Sequence, residues 1–147
     1  MNYTGHLIFG IILGSIFILI MNNISDWFSF SLLNIILYVL IICLFALIPD
    51  IDHKIGKLTW IFLGLGIVGL IYGIFWDYKI LIISIIFLAL TFLCATQLEH
   101  RGITHGLLFG GLIALPLWFY FGLPEFLLAI ISFQSHIWGD GYLFRLW

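Results

Sequence analysis

Long apolar stretches follow one another along the whole chain and limit the folds that are open to it. They cover residues near 7–21, 28–48, 58–76, 80–98, 106–121 and 124–138. Only helices and closed barrels satisfy every backbone polar group inside a lipid bilayer. The apolar residues here are continuous and do not alternate with polar ones, which favours helices. The pattern therefore predicts six membrane helices.

The composition indicates a lipid environment. The chain is 64% hydrophobic and only 8% charged, which excludes the surface of a water-soluble monomer. A spanning helix needs about 20 apolar residues, and the second, third and fourth stretches have that length. Short connectors leave no room for a second domain. We therefore predict an all-α integral membrane bundle of about six transmembrane helices, forming a single domain over residues 1–147. A net charge of −2 argues against a direct nucleic-acid partner.

Several connector residues predict where helices begin and end. Ser25 and Asp26 are candidates to cap the second helix, and Pro124 with Glu125 suits the first turn of the last helix. Gly141 is expected to close that helix. Glycines four residues apart at 10/14, 69/73 and 106/110 favour close packing of helices within one bundle over dimerisation.

Every histidine lies where an apolar stretch meets a polar segment. The segments are His6, PDIDH at 49–53, HRGITH at 100–105 and SHIWGD at 135–140. Six hairpin-linked helices would place all four segments, and both termini, on the same membrane face. Four of the five basic residues fall on that face too, which predicts that it is cytoplasmic. We therefore expect a multi-pass inner or plasma membrane protein with a polar cluster at the cytoplasmic surface.

The SHIWGD and PDIDH segments carry metal-ligating side chains at suitable spacing. His136 and Asp140 are four residues apart, so a helix would stack both on one face and offer two ligands to one ion. The alternative is a helix-end pair capped by water. Pro49 places Asp50, Asp52 and His53 on or beside a turn at the end of the second helix. A solvated turn with an Asp cap is the alternative there.

The HRGITH segment is the most specific. Gly102 permits a tight turn that can bring His100 and His105 to one centre, with the Arg101 cation beside it. A cation next to a metal binds a phosphate or carboxylate substrate. Glu99 is a candidate base, ligand or surface charge. His6 alone is typical of an interfacial residue, but its place on the same face favours a role in the site.

The order of these segments resembles the YdjM-like family, which is LexA-binding, associated with the inner membrane and inferred to be metal-dependent hydrolases. The segments that carry the resemblance are His6 with Gly10, PDIDH, HRGITH and SHxxxD. The family is distantly similar to zinc-dependent phospholipase C and to P1-type nucleases, which use His/Asp clusters to hold metal. The resemblance implies these candidate ligands: His6, Asp50, Asp52, His53, His100, His105, His136 and Asp140.

The implied chemistry is hydrolysis by metal-activated water. Eight candidate ligands exceed what one catalytic zinc takes, so we expect two divalent ions, or a third as well. Zinc is favoured, with manganese and iron as alternatives. Asp52 is predicted to bridge the ions, Arg101 to hold the substrate oxyanion, and Glu99 to serve as a further catalytic group. Location at the lipid headgroup level points to a phospholipid-like phosphoester substrate.

Two other functions remain open from sequence. A transporter would place ionisable residues along a path through the helices. No Asp, Glu, Lys, Arg or His interrupts the middle of a predicted helix, which counts against transport. A non-catalytic membrane anchor that recruits a cytoplasmic partner is the second alternative. The oligomeric state has no signal in the sequence.

Overall fold

The computed structural model describes residues 2–52, 57–76, 78–97 and 105–142 of the chain. These residues form α-helices and one 3-10 helix, and no strand occurs among them. The α-helices are α1 Tyr3–Ser25, α2 Leu32–Leu47, α3 Lys57–Phe75, α4 Tyr78–Gln97, α5 Leu107–Tyr120 and α6 Leu123–Gly139, and the 3-10 helix is Ile48–Asp52. For the described residues, the all-α prediction and the count of six α-helices are confirmed, whereas the prediction that all six cross a membrane stays a prediction.

The boundary between α1 and α2 differs from the sequence prediction. α1 continues through Ser25 and ends at Asp26, whose φ of 47° puts its backbone in the left-handed region. α2 begins later, where the hydroxyl of Ser31 accepts a hydrogen bond from the backbone N–H of Asn34 at 3.2 Å. The prediction that Ser25 and Asp26 cap the second helix is therefore wrong, because these residues end the first one.

The limits of α6 agree with the sequence prediction. Pro124 and Glu125 lie in its first turn. Gly141 follows its end with a φ of 87°, which a residue with a side chain rarely adopts. The backbone N–H of Tyr142 then donates to the carbonyl of Ile137 at 3.1 Å. This is the glycine-dependent ending that satisfies the last carbonyls of a helix.

The chain divides into two compact units. The first combines Met1–Pro49 with His105–Trp147, and the second is Asp50–Thr104. We call the first the four-helix unit, because it holds α1, α2, α5 and α6. Within it, α6 packs against each of the other three helices. We call the second the hairpin unit, because α3 packs against α4. The single domain over residues 1–147 stays a prediction.

Glycines bring the helices of the four-helix unit together. A Cβ added to Gly10 of α1 would lie 2.6 Å from the Cβ of Ala46 in α2. At Gly110 of α5, an added Cβ would lie 2.6 Å from the ring of Phe133 in α6. Non-bonded Cβ atoms in proteins essentially never approach other atoms so closely. These glycines therefore mediate packing within the chain, as their spacing predicted.

The hairpin unit is packed in the same way. A Cβ at Gly73 of α3 would lie 2.3 Å from the backbone nitrogen of Leu81 in α4. Farther along the pair, the rings of Phe62 and Phe87 meet edge to face with centroids 5.5 Å apart. Small residues and aromatic contacts thus hold α3 and α4 in close contact.

Large apolar side chains cover the outside of the helices. Leu33 is 77% exposed and Phe119 is 82% exposed, whereas the polar residues Ser132 and Ser135 are fully buried. This distribution suits contact with lipid. Tyr3–Ser25 and Leu32–Asp50 are long and apolar enough to cross a membrane by length and composition. The shorter apolar helical segments are Thr59–Phe75, Ile80–Ala89 and Leu107–Tyr120.

Candidate metal centre

Four of the predicted ligands meet inside the four-helix unit. His6, His105 and His136 are 2%, 1% and 0% exposed. The side chain of Asp140 is 4% exposed and lies within 4 Å of all three imidazoles. Three histidines and a carboxylate buried in an apolar bundle are unusual, because charged and polar side chains are costly to remove from water.

Helix ends deliver these side chains to one place. His6 lies in the first turn of α1, where its backbone N–H donates a hydrogen bond to the backbone carbonyl of Asn2 at 3.1 Å. His136 lies in the last turn of α6, and Asp140 caps that helix by donating its N–H to the His136 carbonyl at 3.1 Å. His105 comes two residues before α5 begins. The ends of three helices therefore converge, as the hairpin topology predicted for these residues.

Asp140 is the common partner of the three imidazoles. Its Oδ1 lies 3.2 Å from Nε2 of His6, while its Oδ2 lies 3.7 Å from Nε2 of His105 and 3.8 Å from Nε2 of His136. Ligand atoms around a tetrahedral zinc ion with bonds of about 2.0–2.1 Å are separated by about 3.3 Å. The separation of His6 from Asp140 is close to that value and the other two are longer, so the four groups lie near enough together to suit a divalent metal.

A backbone carbonyl fixes the ring of His136. Nδ1 of His136 lies 2.8 Å from the carbonyl oxygen of Ala46, which is buried in α2. Because a carbonyl only accepts, Nδ1 carries the proton and donates it. In the neutral ring, Nε2 then presents its lone pair on the side of Asp140. Metal-binding histidines commonly have their other nitrogen held in this way.

The three imidazole rings are arranged in two different ways. His6 and His136 stack, with ring centroids 3.8 Å apart and planes only 12° from parallel. His105 and His136 meet edge to face, with centroids 5.2 Å apart and planes at 69°. His136 is therefore the central ring of the cluster.

The charge state of Asp140 suits metal binding. Burial raises the pKa of this carboxyl, but a side-chain hydrogen bond and nearby positive charge lower it by more. The net result is a pKa below the ordinary value for aspartate. Asp140 is therefore ionised at neutral pH, which is the form that binds a cation.

Neighbouring hydroxyls of α6 are satisfied within their own helix. The hydroxyl of Ser132 donates to the carbonyl of Leu128 at 2.7 Å, and that of Ser135 donates to the carbonyl of Ser132 at 2.6 Å. A Cβ on Gly10 would lie 3.3 Å from Oγ of Ser135, so α1 passes close to α6 here. These groups shape the wall behind the histidines.

Sequence reasoning missed the backbone contact that holds the cluster. The Ala46 carbonyl orients His136, and the methyl group of Ala46 faces Gly10. Alanine within an apolar helix carries no sign of such a role. The nearest signal was Gly10 itself, four residues after His6, because a small residue there marks a close helix approach.

The other predicted site residues are placed only in part. Asp50 is half-buried in the 3-10 helix and belongs to the hairpin unit. Asp52 ends that 3-10 helix, and its side chain lies outside the described part of the chain. The remaining predicted ligands and catalytic residues also lie outside the described residues; they are His53, Glu99, His100 and Arg101.

Comparison with known proteins identifies one family. The family described as YdjM inner membrane protein matches residues 1–143 of the chain. No curated protein and no solved structure gives a significant match. The family match covers both units and every residue of the histidine cluster.

Proposed function

The chain belongs to the YdjM inner membrane protein family, and from that membership and the buried cluster we propose that it is a membrane-embedded, metal-dependent hydrolase of phosphoesters. The observation that carries the proposal is the convergence of three buried imidazoles on one buried carboxylate in an otherwise apolar bundle. A structural role alone would not require four such groups to share one point, because each is costly to bury.

Divalent metal fits this donor set, and two ions are proposed because the candidate ligands are too many for one. His6, His105, His136 and Asp140 would hold it, with zinc favoured and manganese or iron as alternatives. When bound, the ion would lower the pKa of a water molecule to about 7 and so supply a nucleophile for hydrolysis. The carbonyl of Ala46 keeps the ring of His136 oriented for binding.

The substrate class follows from location and charge. The cluster lies at the ends of apolar helices, and the proposal is that a lipid phosphoester reaches it there without leaving the membrane. Arg101 is proposed to hold the substrate oxyanion, because a guanidinium matches phosphate geometry. Glu99 and Asp52 are proposed as a general base and a further metal ligand.

The membrane arrangement is also proposed. Six spans would place both termini and the cluster on one side. Lys54, Lys57, Arg101 and Arg145 would share that side, against Lys79 on the other. This asymmetry favours the cytoplasm under the positive-inside rule. A reporter fused to the carboxy terminus should give a cytoplasmic signal, and a periplasmic signal would overturn the orientation.

Two alternatives are weaker. In the described helices, the Asp, Glu, Lys, Arg and His residues belong only to the first or last turn; they are His6, Lys57, Lys79, Glu125 and His136. A transport path would place some of them in the middle of the membrane. A non-catalytic anchor that binds a cytoplasmic partner has no need of a buried histidine cluster.

Metal content is the decisive measurement. Detergent-purified protein, prepared without chelator, loaded with zinc and desalted, should retain at least one ion per chain by elemental mass spectrometry. The double variant His136→Ala/Asp140→Ala should retain none. Glu125→Ala is the matched control, because it removes a carboxylate from the opposite end of α6, and it should retain as much metal as the wild type.

Activity follows from metal content. The zinc-loaded wild type should hydrolyse a chromogenic phosphodiester or a short-chain phospholipid in micelles, and the double variant should not. Wild-type protein that binds no metal after reconstitution would leave the hydrolase proposal without a mechanism and favour the anchor. Wild-type metal content in the double variant would show that residues other than His136 and Asp140 bind the metal.

A further inference from the structure

A buried carbonyl near the end of α2 accepts a hydrogen bond from another helix. Nδ1 of His136 in α6 lies 2.8 Å from the carbonyl oxygen of Ala46, and both residues are 0% exposed. A buried backbone carbonyl needs a donor, because leaving it without one costs about as much as a lost hydrogen bond. In a helix that donor is ordinarily the backbone N–H three or four residues later. At Ala46 a side chain takes part instead.

Pro49 lies three residues after Ala46 and explains why a side chain can bind there. α2 ends at Leu47, and the chain continues as the 3-10 helix Ile48–Asp52, which contains Pro49. A 3-10 turn directs each N–H to the carbonyl three residues earlier, which for residue 49 is that of Ala46. Proline has no N–H. The backbone donor that 3-10 geometry would direct to Ala46 is therefore missing.

The same proline accounts for the change from α to 3-10 geometry. The backbone N–H of Ile48 still donates to the carbonyl of Leu44, four residues earlier. One residue later this pattern cannot continue, because a proline ring clashes with the carbonyl four residues before it, here that of Phe45. Pro49 is fully buried, although prolines are mostly exposed in folded proteins. A solvated turn is therefore not the reason for a proline at this position.

We propose that Pro49 is a positioning residue for His136. Because it lacks an N–H, it reserves the Ala46 carbonyl for Nδ1 of His136. That bond keeps the ring proton on Nδ1 and leaves the lone pair of Nε2 on the side of Asp140. Pro49, Ala46 and His136 all belong to the four-helix unit. The expected effect on metal affinity rests on the proposed function, whereas the effect on the tautomer of His136 does not.

The tautomer of His136 is the first readout, because a loss of packing alone would not reverse it. Metal-free, detergent-purified protein labelled with ¹⁵N-histidine is measured at alkaline pH, where imidazole rings are neutral. The His136 signals are identified by their absence in His136→Gln, and protonated and unprotonated ring nitrogens differ clearly in ¹⁵N chemical shift. The wild type should carry the proton on Nδ1. Pro49→Ala should shift it, wholly or in part, to Nε2, because residue 49 then donates to Ala46.

A backbone ester separates the missing N–H from the proline ring. Lactic acid incorporated at position 49 has the methyl group of Pro49→Ala but a backbone oxygen where alanine has its N–H. This ester variant should keep the wild-type tautomer. Pro116→Ala removes the proline inside α5 and is the matched control, which should also leave the tautomer unchanged. Pro49→Gly restores the N–H as well and replaces Pro49→Ala if circular dichroism shows that the latter does not fold.

Zinc affinity is the second readout. Loss of the group that orients a ligand histidine costs about 10–100-fold in metal affinity, so Pro49→Ala should bind zinc more weakly by that factor. The ester variant and Pro116→Ala should bind zinc as the wild type does. Zinc affinity that stays at the wild-type value despite a changed tautomer would support the role of Pro49 and remove His136 from the ligands.

Three results would overturn the inference. They are a proton on Nε2 of His136 in the wild type, a wild-type tautomer in Pro49→Ala, and an ester variant that behaves as Pro49→Ala does. A wild type that binds no zinc would overturn the proposed function, while the tautomers would still decide whether Pro49 positions His136.

Discussion

The four-helix unit and the hairpin unit use similar packing, and both bond hydroxyls within a helix, but in the four-helix unit buried polar side chains also join different helices. In the hairpin unit, the hydroxyl of Thr91 donates to the carbonyl of Phe87 at 2.8 Å, one turn earlier in the same helix. In the four-helix unit, His136 donates to Ala46 of another helix, and Asp140 faces His6 at the far end of the sequence. A bond within one helix leaves its neighbours free to shift, whereas bonds between helices fix their relative positions. The second arrangement is the one that can hold a metal site.

The largest expected effect is the loss of catalytic activity when Arg101 is replaced. If the four-helix unit binds the metal and Arg101 binds the substrate, Arg101→Ala should lower kcat by about 10²–10³-fold while metal content stays at the wild-type level. Lys79→Ala removes a cation from the start of α4 and serves as the control, with no change in either measurement expected. Full hydrolytic activity in Arg101→Ala would refute the substrate-binding role.

A smaller effect tests the packing of the hairpin unit. The added methyl group in Gly73→Ala would lie 2.3 Å from the backbone nitrogen of Leu81, which cannot move aside as a side chain can. We expect a loss of about 1–3 kcal/mol in the free energy of unfolding, measured by denaturing-detergent titration followed by circular dichroism. Gly64→Ala is the control in the same helix, because nothing lies within 4 Å of its added Cβ.

The two glycine variants also test whether the units differ in function. Gly64→Ala should preserve or slightly raise stability, since alanine favours a helix by about 0.5–1 kcal/mol over glycine. Both variants should keep the wild-type metal content, because the residues of the histidine cluster, His6, His105, His136 and Asp140, belong to the four-helix unit. Loss of metal in Gly73→Ala, at a temperature where the protein remains helical, would mean that the hairpin unit also contributes to metal binding.

The smallest effect concerns hydroxyls bonded within their own helix. Ser132→Ala in α6 and Thr91→Val in α4 each remove one such bond. Each should change the free energy of unfolding by only about 0.5–1.5 kcal/mol, and neither should alter metal content. Metal loss in Ser132→Ala alone would mean that the hydroxyls of α6 contribute to the site beyond shaping its wall.

Much of the fold could be predicted from the sequence, because long apolar stretches indicate helices and turn residues indicate where helices end. All six helices were predicted, and so were Pro124, Glu125 and Gly141 at the ends of α6. The start of α2 was predicted too early. Serine and aspartate satisfy backbone groups at either end of a connector, so composition alone does not distinguish the end of α1 from the start of α2.

The residues of the candidate site could be predicted from the sequence, but their geometry could not. His6, His105, His136 and Asp140 were predicted to share a face because hairpin-linked helices alternate direction. The stacking of two imidazoles and the bond to the Ala46 carbonyl depend on how helices are rotated about their axes. Rotation is set by packing at positions such as Gly10, and sequence spacing does not specify it.

The joining of α1 to α6 has a consequence for how this protein is made. Translation produces α1 before α6, so Asp140 can meet His6 only after the helices between them have been made. Contacts between such distant residues form late, because a long stretch of chain must be ordered before they gain anything. The histidine cluster therefore forms late within the four-helix unit, because it needs α1, α5 and α6 to be packed together.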